Sequence, residues 1–392
     1  MTLLTFRNKF VLQSTTPVST SSSTLGDDSQ ASQIFTLDAN QTVLVMYVAN
    51  NNHLTAEDTI GTHIAINVDA VDVANSYDSP YALNYACRNT TFWIGNLAAG
   101  SHTIKGRFAA NRNTFTVTIS NRVLLVLVLN GNEFQYVDDA TQQTTASVVL
   151  VDDPNASVTF TPSGNCVALY LYNCSNVTGT VESQYGKKAG INVAGTDFSQ
   201  AEKSPYFANE SDSVFSLYSA SLTAVTTTVK GRFASNFVGS TVTISRRQLG
   251  VLLFDASTLM DIITSDIQVS TTSNSLVNDG QATISRITSD VRELLVIAMG
   301  TKRHLTTASS TGECYGINID SVDRQISRGS PHGASSADSA STCYAQTTVP
   351  GSHTVQGRFS NNNDADSAIV DSRRVVALWM TITGIAISWM NA

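Results

Sequence analysis

Apolar and polar residues alternate along much of this chain, a pattern that predicts β-strands. In the segment from His102 to Phe108, residues Ile104, Gly106 and Phe108 share one face, while polar residues occupy the other. An alternation of period two is typical of a strand with one buried face. A polar loop over 109–113 and a second alternating segment follow, which predicts a hairpin. We therefore expect an all-β, antiparallel fold.

A second set of segments is apolar on both faces. These segments are Val43 to Val48, Val123 to Leu129, Val167 to Tyr172, Leu249 to Phe254, Leu294 to Met299 and Val375 to Met380. One face of such a strand meets the core of a sandwich, so a neighbouring domain or subunit must cover the other. Each apolar side chain that is buried contributes about 1.5 to 3 kcal/mol, which would make this interface a major source of stability. The residues expected at the interface are Val43, Val45, Val123, Leu125, Leu127, Leu249, Leu252, Val375 and Leu378.

The chain is internally repeated. A Gly-Arg-Phe motif occurs three times, at Gly106-Arg107-Phe108, Gly231-Arg232-Phe233 and Gly357-Arg358-Phe359, with spacings of 125 and then 126 residues. The same spacings relate several other landmarks, namely Ile66-Asn67-Val68, Ile191-Asn192-Val193 and Ile317-Asn318-Ile319; Ser79-Pro80, Ser204-Pro205 and Ser330-Pro331; Arg122, Arg247 and Arg373; and Asp27-Asp28, Asp152-Asp153 and Asn278-Asp279. A period this long predicts globular repeats rather than a solenoid.

The predicted organisation is an N-terminal arm over 1–13 and three tandem β-sandwich repeats over 14–139, 140–265 and 266–392. Since no long Pro- or Gly-rich linker separates the repeats, we expect them to pack against one another. The arm could add a strand to a neighbouring molecule, or it could fold back as the first strand of its own repeat.

Composition and charge exclude several classes of function. The net charge of −8 and the lack of Lys and Arg clusters argue against nucleic-acid binding. The apolar run from Val123 to Leu129 is too short to span a bilayer, and the arm does not resemble a signal peptide, so we expect a soluble chain that is made in the cytosol. The five cysteines do not recur between repeats. Buried thiols are expected, and a Cys314–Cys343 disulfide is the alternative.

The search for reactive groups favours structural explanations. His53, His63, His102, His304, His332 and His353 match no zinc signature, so we expect no metal site. Asp69 and Asp320 occupy matching turns and could stabilise the turn, bind Ca²⁺ or pair with the repeated arginine. Arg107 and its two counterparts could bind a carboxylate or phosphate, but cross-strand or interdomain ion pairs are favoured. No catalytic or cofactor motif is present, so neither an enzyme nor a cofactor is predicted.

The apolar opening strand, the Ile-Asn-Val-Asp turn, the stretch from Gly100 to Phe108 and the apolar final strand resemble the jelly-roll modules of the tumour necrosis factor and C1q type. Similar modules recur in phage and viral structural proteins and in bacterial surface proteins. The resemblance implies that the first and last strands lie side by side in an inner sheet that packs around a three-fold axis. Three repeats in one chain would then form a pseudo-trimer, or each would join repeats of other chains.

These observations predict a structural protein of a virus or phage particle, such as a capsid, decoration, spike or fibre subunit. Its partners would be copies of itself or other virion or surface proteins. One alternative is a receptor- or glycan-binding module, in which Tyr77, Tyr81 and Tyr206 stack on sugars. Another is an extracellular filament subunit whose arm donates a strand.

Overall fold

The alternating segments form long antiparallel strands, and the all-β prediction is confirmed. The structure is a computed structural model that describes residues 1–53, 61–79, 86–110, 113–175, 178–179, 186–204, 211–304, 313–329, 337–361 and 367–382. Within these ranges the regular secondary structure consists of strands. None of the described residues belongs to a helix that is long and apolar enough to cross a membrane.

The strands fall into three groups, here called the first, middle and third units. The first unit contains β1 (Thr5–Ser14), β2 (Val18–Thr20), β3 (Gly26–Leu37), β4 (Gln41–His53), β5 (Thr62–Val68), β6 (Val71–Asp78), β7 (Ala86–Leu97), β8 (Gly100–Ala110) and β9 (Val117–Asn130). The middle unit contains β10 (Phe134–Asp139), β11 (Gln143–Thr145), β12 (Val151–Phe160), β13 (Cys166–Ser175), β14 (Thr178–Gly179), β15 (Lys187–Val193), β16 (Thr196–Lys203), β17 (Val214–Leu222), β18 (Thr227–Ser235), β19 (Val242–Ile244) and β20 (Arg246–Asp255). The third unit contains β21 (Leu259–Ser265), β22 (Val269–Thr271), β23 (Val277–Thr288), β24 (Arg292–His304), β25 (Glu313–Ile319), β26 (Val322–Gly329), β27 (Ala337–Thr348), β28 (Gly351–Asn361) and β29 (Ala368–Thr381).

Each unit has two main sheets with the same strand order. In the first unit the inner sheet runs β1-β9-β4-β7 and the outer sheet runs β3-β8-β5-β6. The corresponding inner sheets run β10-β20-β13-β17 and β21-β29-β24-β27, and the outer sheets run β12-β18-β15-β16 and β23-β28-β25-β26. Three short strands of the middle unit form a separate sheet, β11-β19-β14. In every unit the first strand lies beside the last one, which is the arrangement of a jelly-roll-like sandwich.

The strand pairing moves the unit bounds by one strand relative to the bounds expected from the sequence. Strand β1, which includes most of the 1–13 arm, pairs with β9 of its own unit. Strand β10 lies within the expected 14–139 repeat but pairs with β20, and β21 pairs with β29 in the same way. The repeat landmarks define the period but not the residue at which one period ends, because a periodic pattern can be divided anywhere.

A tyrosine fills the space that the glycine of each Gly-Arg-Phe motif leaves in the sandwich. A Cβ added at Gly106 would come within 2.6 Å of the Tyr47 ring, and one at Gly231 within 2.3 Å of the Tyr172 ring. Both tyrosines come from the facing inner sheet. In the third unit Ala298 takes the tyrosine's place, and Tyr315 of the outer sheet reaches to 2.9 Å from the corresponding point at Gly357. In the third unit the tyrosine thus comes from the outer sheet instead of the inner sheet, and the core volume remains filled.

Candidate interface between the units

The three units contact one another in a cyclic order. Strands β6 and β7 of the first unit pack against β10, β13 and β20 of the middle unit. Strands β16 and β17 then pack against β21, β24 and β29 of the third unit. Strands β26 and β27 in turn pack against β1, β4 and β9 of the first unit. At all three junctions, therefore, the corresponding edge of one unit packs against the inner sheet of the next unit.

The apolar inner strands contribute to two kinds of core. Val43 and Val45 belong to a cluster formed by the first unit alone, and Val375 belongs to a corresponding cluster of the third unit. Val123, Leu125, Leu127 and Leu378 belong to a larger cluster with residues from all three units, here called the shared cluster. Leu249 and Leu252 also lie in the shared cluster, which includes the middle unit's own core. The expected interface residues thus lie on both faces of the inner sheets.

Two residues of the middle unit differ from their equivalents in the other units: Gly250 replaces Leu125 and Val376, and Gln248 replaces Val123 and Arg374. Phe92 and Ile94 of the first unit pack directly on Gly250, where an added Cβ would come within 2.6 Å of Ile94. The buried Gln248 donates from Nε2 to the Asn75 carbonyl oxygen at 3.1 Å, across the same junction. The side chains of the middle unit at this junction therefore fit the first unit specifically.

The repeated Ser-Pro motifs mark backbone links between units. The amide of Ser79 donates to the carbonyl of Ser211 at 2.9 Å, and the amide of Ser204 donates to the carbonyl of Ala337 at 2.8 Å. The same position thus hydrogen-bonds from the first unit to the middle one and from the middle unit to the third. Ser330, the third member of the series, lies outside the described residues.

A buried group of charged residues lies next to these links and joins all three units. The ammonium of Lys203 in the middle unit lies 2.6 Å from an Asp78 carboxylate oxygen of the first unit. The same ammonium lies 3.5 Å from Asp338 of the third unit and 3.8 Å from Asp212 of its own unit. Lys187 binds Asp212 at 3.0 Å. We call these residues, together with the buried Arg88, the Lys203 cluster.

The positive and negative charges of the Lys203 cluster compensate one another. Arg88 donates to the Ser339 carbonyl at 2.8 Å, which carries its guanidinium into the third unit. Burial acts against the charge on Lys203, but Asp78, Asp338 and Asp212 outweigh it and raise the pKa of Lys203. Burial also raises the pKa of Asp78, and Lys203 opposes that shift. One shared cation thereby holds carboxylates from three units in a water-poor environment.

The N-terminal residues join the units at another place. The amide of Leu4 donates to the Leu253 carbonyl at 2.8 Å, and the Leu4 carbonyl accepts from Asp255 at 2.9 Å. Phe6 forms a parallel bridge with Ile382 of the third unit. Leu4 is fully buried and Phe6 is 3% exposed. This segment of the first unit therefore contacts both of the other units.

Inside each unit, a buried Asp–Arg pair connects the two sheets. Arg122 Nε lies 2.7 Å from Asp28, Arg247 lies 2.7 Å from Asp153, and Arg373 lies 2.6 Å from Asp279. Tyr47 and Tyr172 donate to the same aspartates at 2.7 and 3.0 Å. All three arginines and their aspartates are fully buried, so no substrate or ligand reaches them.

The arginines of the Gly-Arg-Phe motif make ion pairs on the outer sheet. Arg107 binds Asp72 at 2.8 Å and Asp27 at 3.1 Å, both within its own unit. Arg232 and Arg358 repeat the first contact with Asp197 and Asp323. The cross-strand ion pairs that the sequence favoured are therefore present.

Asp69 and Asp320 stabilise the β5–β6 and β25–β26 turns together with a histidine. Asp69 Oδ2 lies 2.7 Å from His102 Nδ1, and Asp69 Oδ1 accepts from the Thr103 amide at 2.8 Å. His353 and Asp320 repeat the pair at 2.8 Å. Burial opposes protonation of each histidine, but the hydrogen bond to the aspartate outweighs it and raises the pKa. Ala194 and Thr227 replace both partners in the middle unit.

The remaining candidate residues also have structural surroundings. Each of the five cysteines is a buried thiol and none forms a disulfide bond. Tyr77 stacks on His63 with ring centroids 4.2 Å apart, and burial lowers the pKa of His63 to about 4. Tyr81, Tyr206, His332 and the side chains of His53 and His304 lie outside the described residues. In the part of the chain that is described, no group of three or more His, Cys, Asp or Glu residues could hold a metal ion.

Comparison with known proteins gives only weak similarities. No family model matches the chain, and no curated protein does. A structure of PNGF-II is 8% identical over 88% of this chain and 99% of its own, with a TM-score of 0.30. A triple jelly-roll protein of an archaeal virus turret assembly is 11% identical over 89% and 82%, with a TM-score of 0.18. Tandem CBM51 modules of a Streptococcus pneumoniae family 98 glycoside hydrolase are 10% identical over 59% and 82%, with a TM-score of 0.17. Similarities at these scores carry no argument about function.

The Lys203 cluster was missed at the level of sequence, although a signal for it is present. Asp78, Lys203 and Gly329 each come directly before the repeated Ser, at equivalent positions of the three units. An aspartate, a lysine and a glycine at one repeated position indicate that the position has three different surroundings. Such a position does not belong to the residues that the repeats share, because its signal is the difference between the three units.

Proposed function

We propose that this chain is a structural protein of a virus or phage particle, in which three jelly-roll units of one chain take the place of a trimer of separate subunits. The observation that carries the proposal is the cyclic contact order, with one edge of each unit against the inner sheet of the next. Closed rings of heterologous contacts are the usual geometry of cyclic trimers. Jelly rolls are common building blocks of viral capsids.

The strand order supports a unit of the tumour necrosis factor and C1q type. In each unit the first and last strands are neighbours in the inner sheet. The apolar faces of β4, β9, β24 and β29 that point away from their own unit's core lie in the shared cluster. An apolar core shared by three units would make them one stable body that presents its outer sheets to other proteins of the particle.

The proposal includes no catalytic role. Among the described residues, the buried Asp–Arg pairs and the ion pairs of the outer sheet recur in every unit. Both are occupied by structural contacts. The filament alternative is set aside because β1 pairs with β9 of its own unit. The glycan-binding alternative remains a prediction, since the structure of Tyr81 and Tyr206 is not described.

Two measurements test this proposal. Light scattering of the purified protein should give the mass of one chain, 41.8 kDa, and electron microscopy should show compact three-lobed particles. Antibodies against the chain should label nuclease-resistant particles that are sedimented from the culture producing it. An extended string of separate lobes would contradict the ring, and label confined to the cell surface would contradict the virion role.

A further inference from the structure

Asp78 and Lys203 hold the same place in two different units. Each is the last residue of its strand, β6 or β16, before the repeated Ser, and they are 125 residues apart. Their charged groups meet at 2.6 Å across the first–middle junction. In a ring of identical units, the residue that meets Asp78 would be another Asp78, and the residue that meets Lys203 would be another Lys203.

The other members of the Lys203 cluster follow the same rule. Asp212 and Asp338 share one repeated position, where the first unit has Cys87. Arg88 occupies a position that holds Ser213 and Ser339 in the other units. Among these described side chains, the first unit contributes no net charge, the middle unit one positive charge and the third unit one negative charge. The present order of units therefore makes the cluster neutral.

Because the cluster is buried, its balance of charge has a strong effect on which units can lie together. The side chain of Asp78 is fully buried, and those of Lys203 and Asp338 are each 6% exposed. Like charges that meet directly at such a site have little water to screen their repulsion, so the contact is disfavoured. Repulsion of the wrong partner is one of the two ways in which an interface becomes specific.

We propose that the Lys203 cluster determines which unit lies beside which, so that the ring closes in one order within a single chain and rejects units that present an identical face. The partner that each of these faces fits is a different unit of the same chain. The inference rests on the ring that is proposed above and goes beyond it, because it gives buried charged residues a part in selecting the neighbour, in addition to the packing of Phe92 and Ile94 on Gly250.

The sharpest test compares Asp78→Lys with Asp78→Met in the full chain. Both side chains are longer than aspartate and both remove its charge, but only lysine places a second cation against Lys203. We expect Asp78→Lys to open the first–middle junction, with a melting temperature well below that of Asp78→Met and concentration-dependent multimers in native mass spectrometry. Equal behaviour of the two variants would show that the position acts through packing alone and would overturn the proposal.

A second pair of variants applies if Asp78→Lys does not fold. Lys203→Met removes the shared cation, and Lys230→Met removes a lysine that binds Asp152 at 2.5 Å on the outer sheet of one unit. We expect about a hundredfold or greater rise in the unfolding equilibrium constant for Lys203→Met and a change of no more than about fivefold for Lys230→Met. Similar changes in the two variants would contradict the inference. A multimeric or extended wild-type protein would instead contradict the proposed ring.

Discussion

The buried pair between the two sheets is the same in all three units, whereas many of the side chains that meet between units differ from one unit to the next. The buried Asp–Arg pair is found in all three units with distances of 2.6 to 2.7 Å. Between the units, by contrast, Gly250, Gln248, Lys203 and Leu4 each make a contact that is not repeated at the equivalent position of another unit.

This difference reflects the separate structural requirements of the sandwich core and of the junctions between units. Every unit must close the same sandwich, so the same pair between the sheets serves in each. A junction inside one chain has a fixed neighbour, so its side chains need to fit only that neighbour. Equivalent positions are then free to hold residues of opposite charge, as Asp78 and Lys203 do.

The largest effect is expected from the repeated pair inside the units. Replacing Arg122, Arg247 or Arg373 with Leu leaves a buried aspartate without its cation, which costs about 3 to 5 kcal/mol. We expect the three single variants to lower the free energy of unfolding, measured in urea, by similar amounts. Strongly unequal losses would show that the pair does not serve one shared purpose.

Leu4→Ala tests a junction contact that occurs once in the chain. The side chain is fully buried between units, and truncation of a buried leucine costs about 2 to 5 kcal/mol. Val71→Ala is a suitable control, since Val71 is 61% exposed. Comparable losses of unfolding free energy in the two variants would contradict a role of the N-terminal segment in holding the units together.

Gly106→Ala and Gly231→Ala test the close approach of the tyrosine ring in two units. The added methyl group would overlap Tyr47 or Tyr172, and overpacking of this kind costs about 1 to 3 kcal/mol. Gly280→Ala is the matched control, because an added Cβ there has no heavy atom within 4 Å. Thermal unfolding should separate the two core variants from the control, and no separation would mean that the rings move aside freely.

The smallest effect is a pH dependence that the middle unit lacks. Because the folded-state pKa of His102 and of His353 is raised, their stabilising contribution is complete below about pH 6.5 and is lost as the pH rises through the raised value. The double variant His102→Gln, His353→Gln should therefore flatten the pH dependence of stability between about pH 6 and pH 8, by about 1 kcal/mol or less per pair. His63→Gln should change the slope in the opposite sense, because the lowered pKa of His63 makes the wild-type protein lose stability as the pH falls through about 6.5. An unaltered slope in the double variant would refute the effect.

Much of the fold could be predicted from local patterns, and little of the interface could. Alternation predicted the half-buried strands such as β8, and the doubly apolar segments predicted β4, β9 and their counterparts. The division of Val43 from Val123 between a unit's own core and the shared cluster could not be predicted. Both valines lie in doubly apolar strands, and only the placement of the neighbouring unit decides which of the two faces meets it.

By itself the sequence determined the all-β character, the repeat and its period, because these depend on the spacing of residues along the chain. Only the tertiary structure decided where each unit begins, which faces meet and why Lys203 stands where another unit has aspartate. Such facts depend on groups that are more than a hundred residues apart in the chain, as Lys203 and Asp78 are, and that come within 2.6 Å only after folding. No local pattern of residues records that distance.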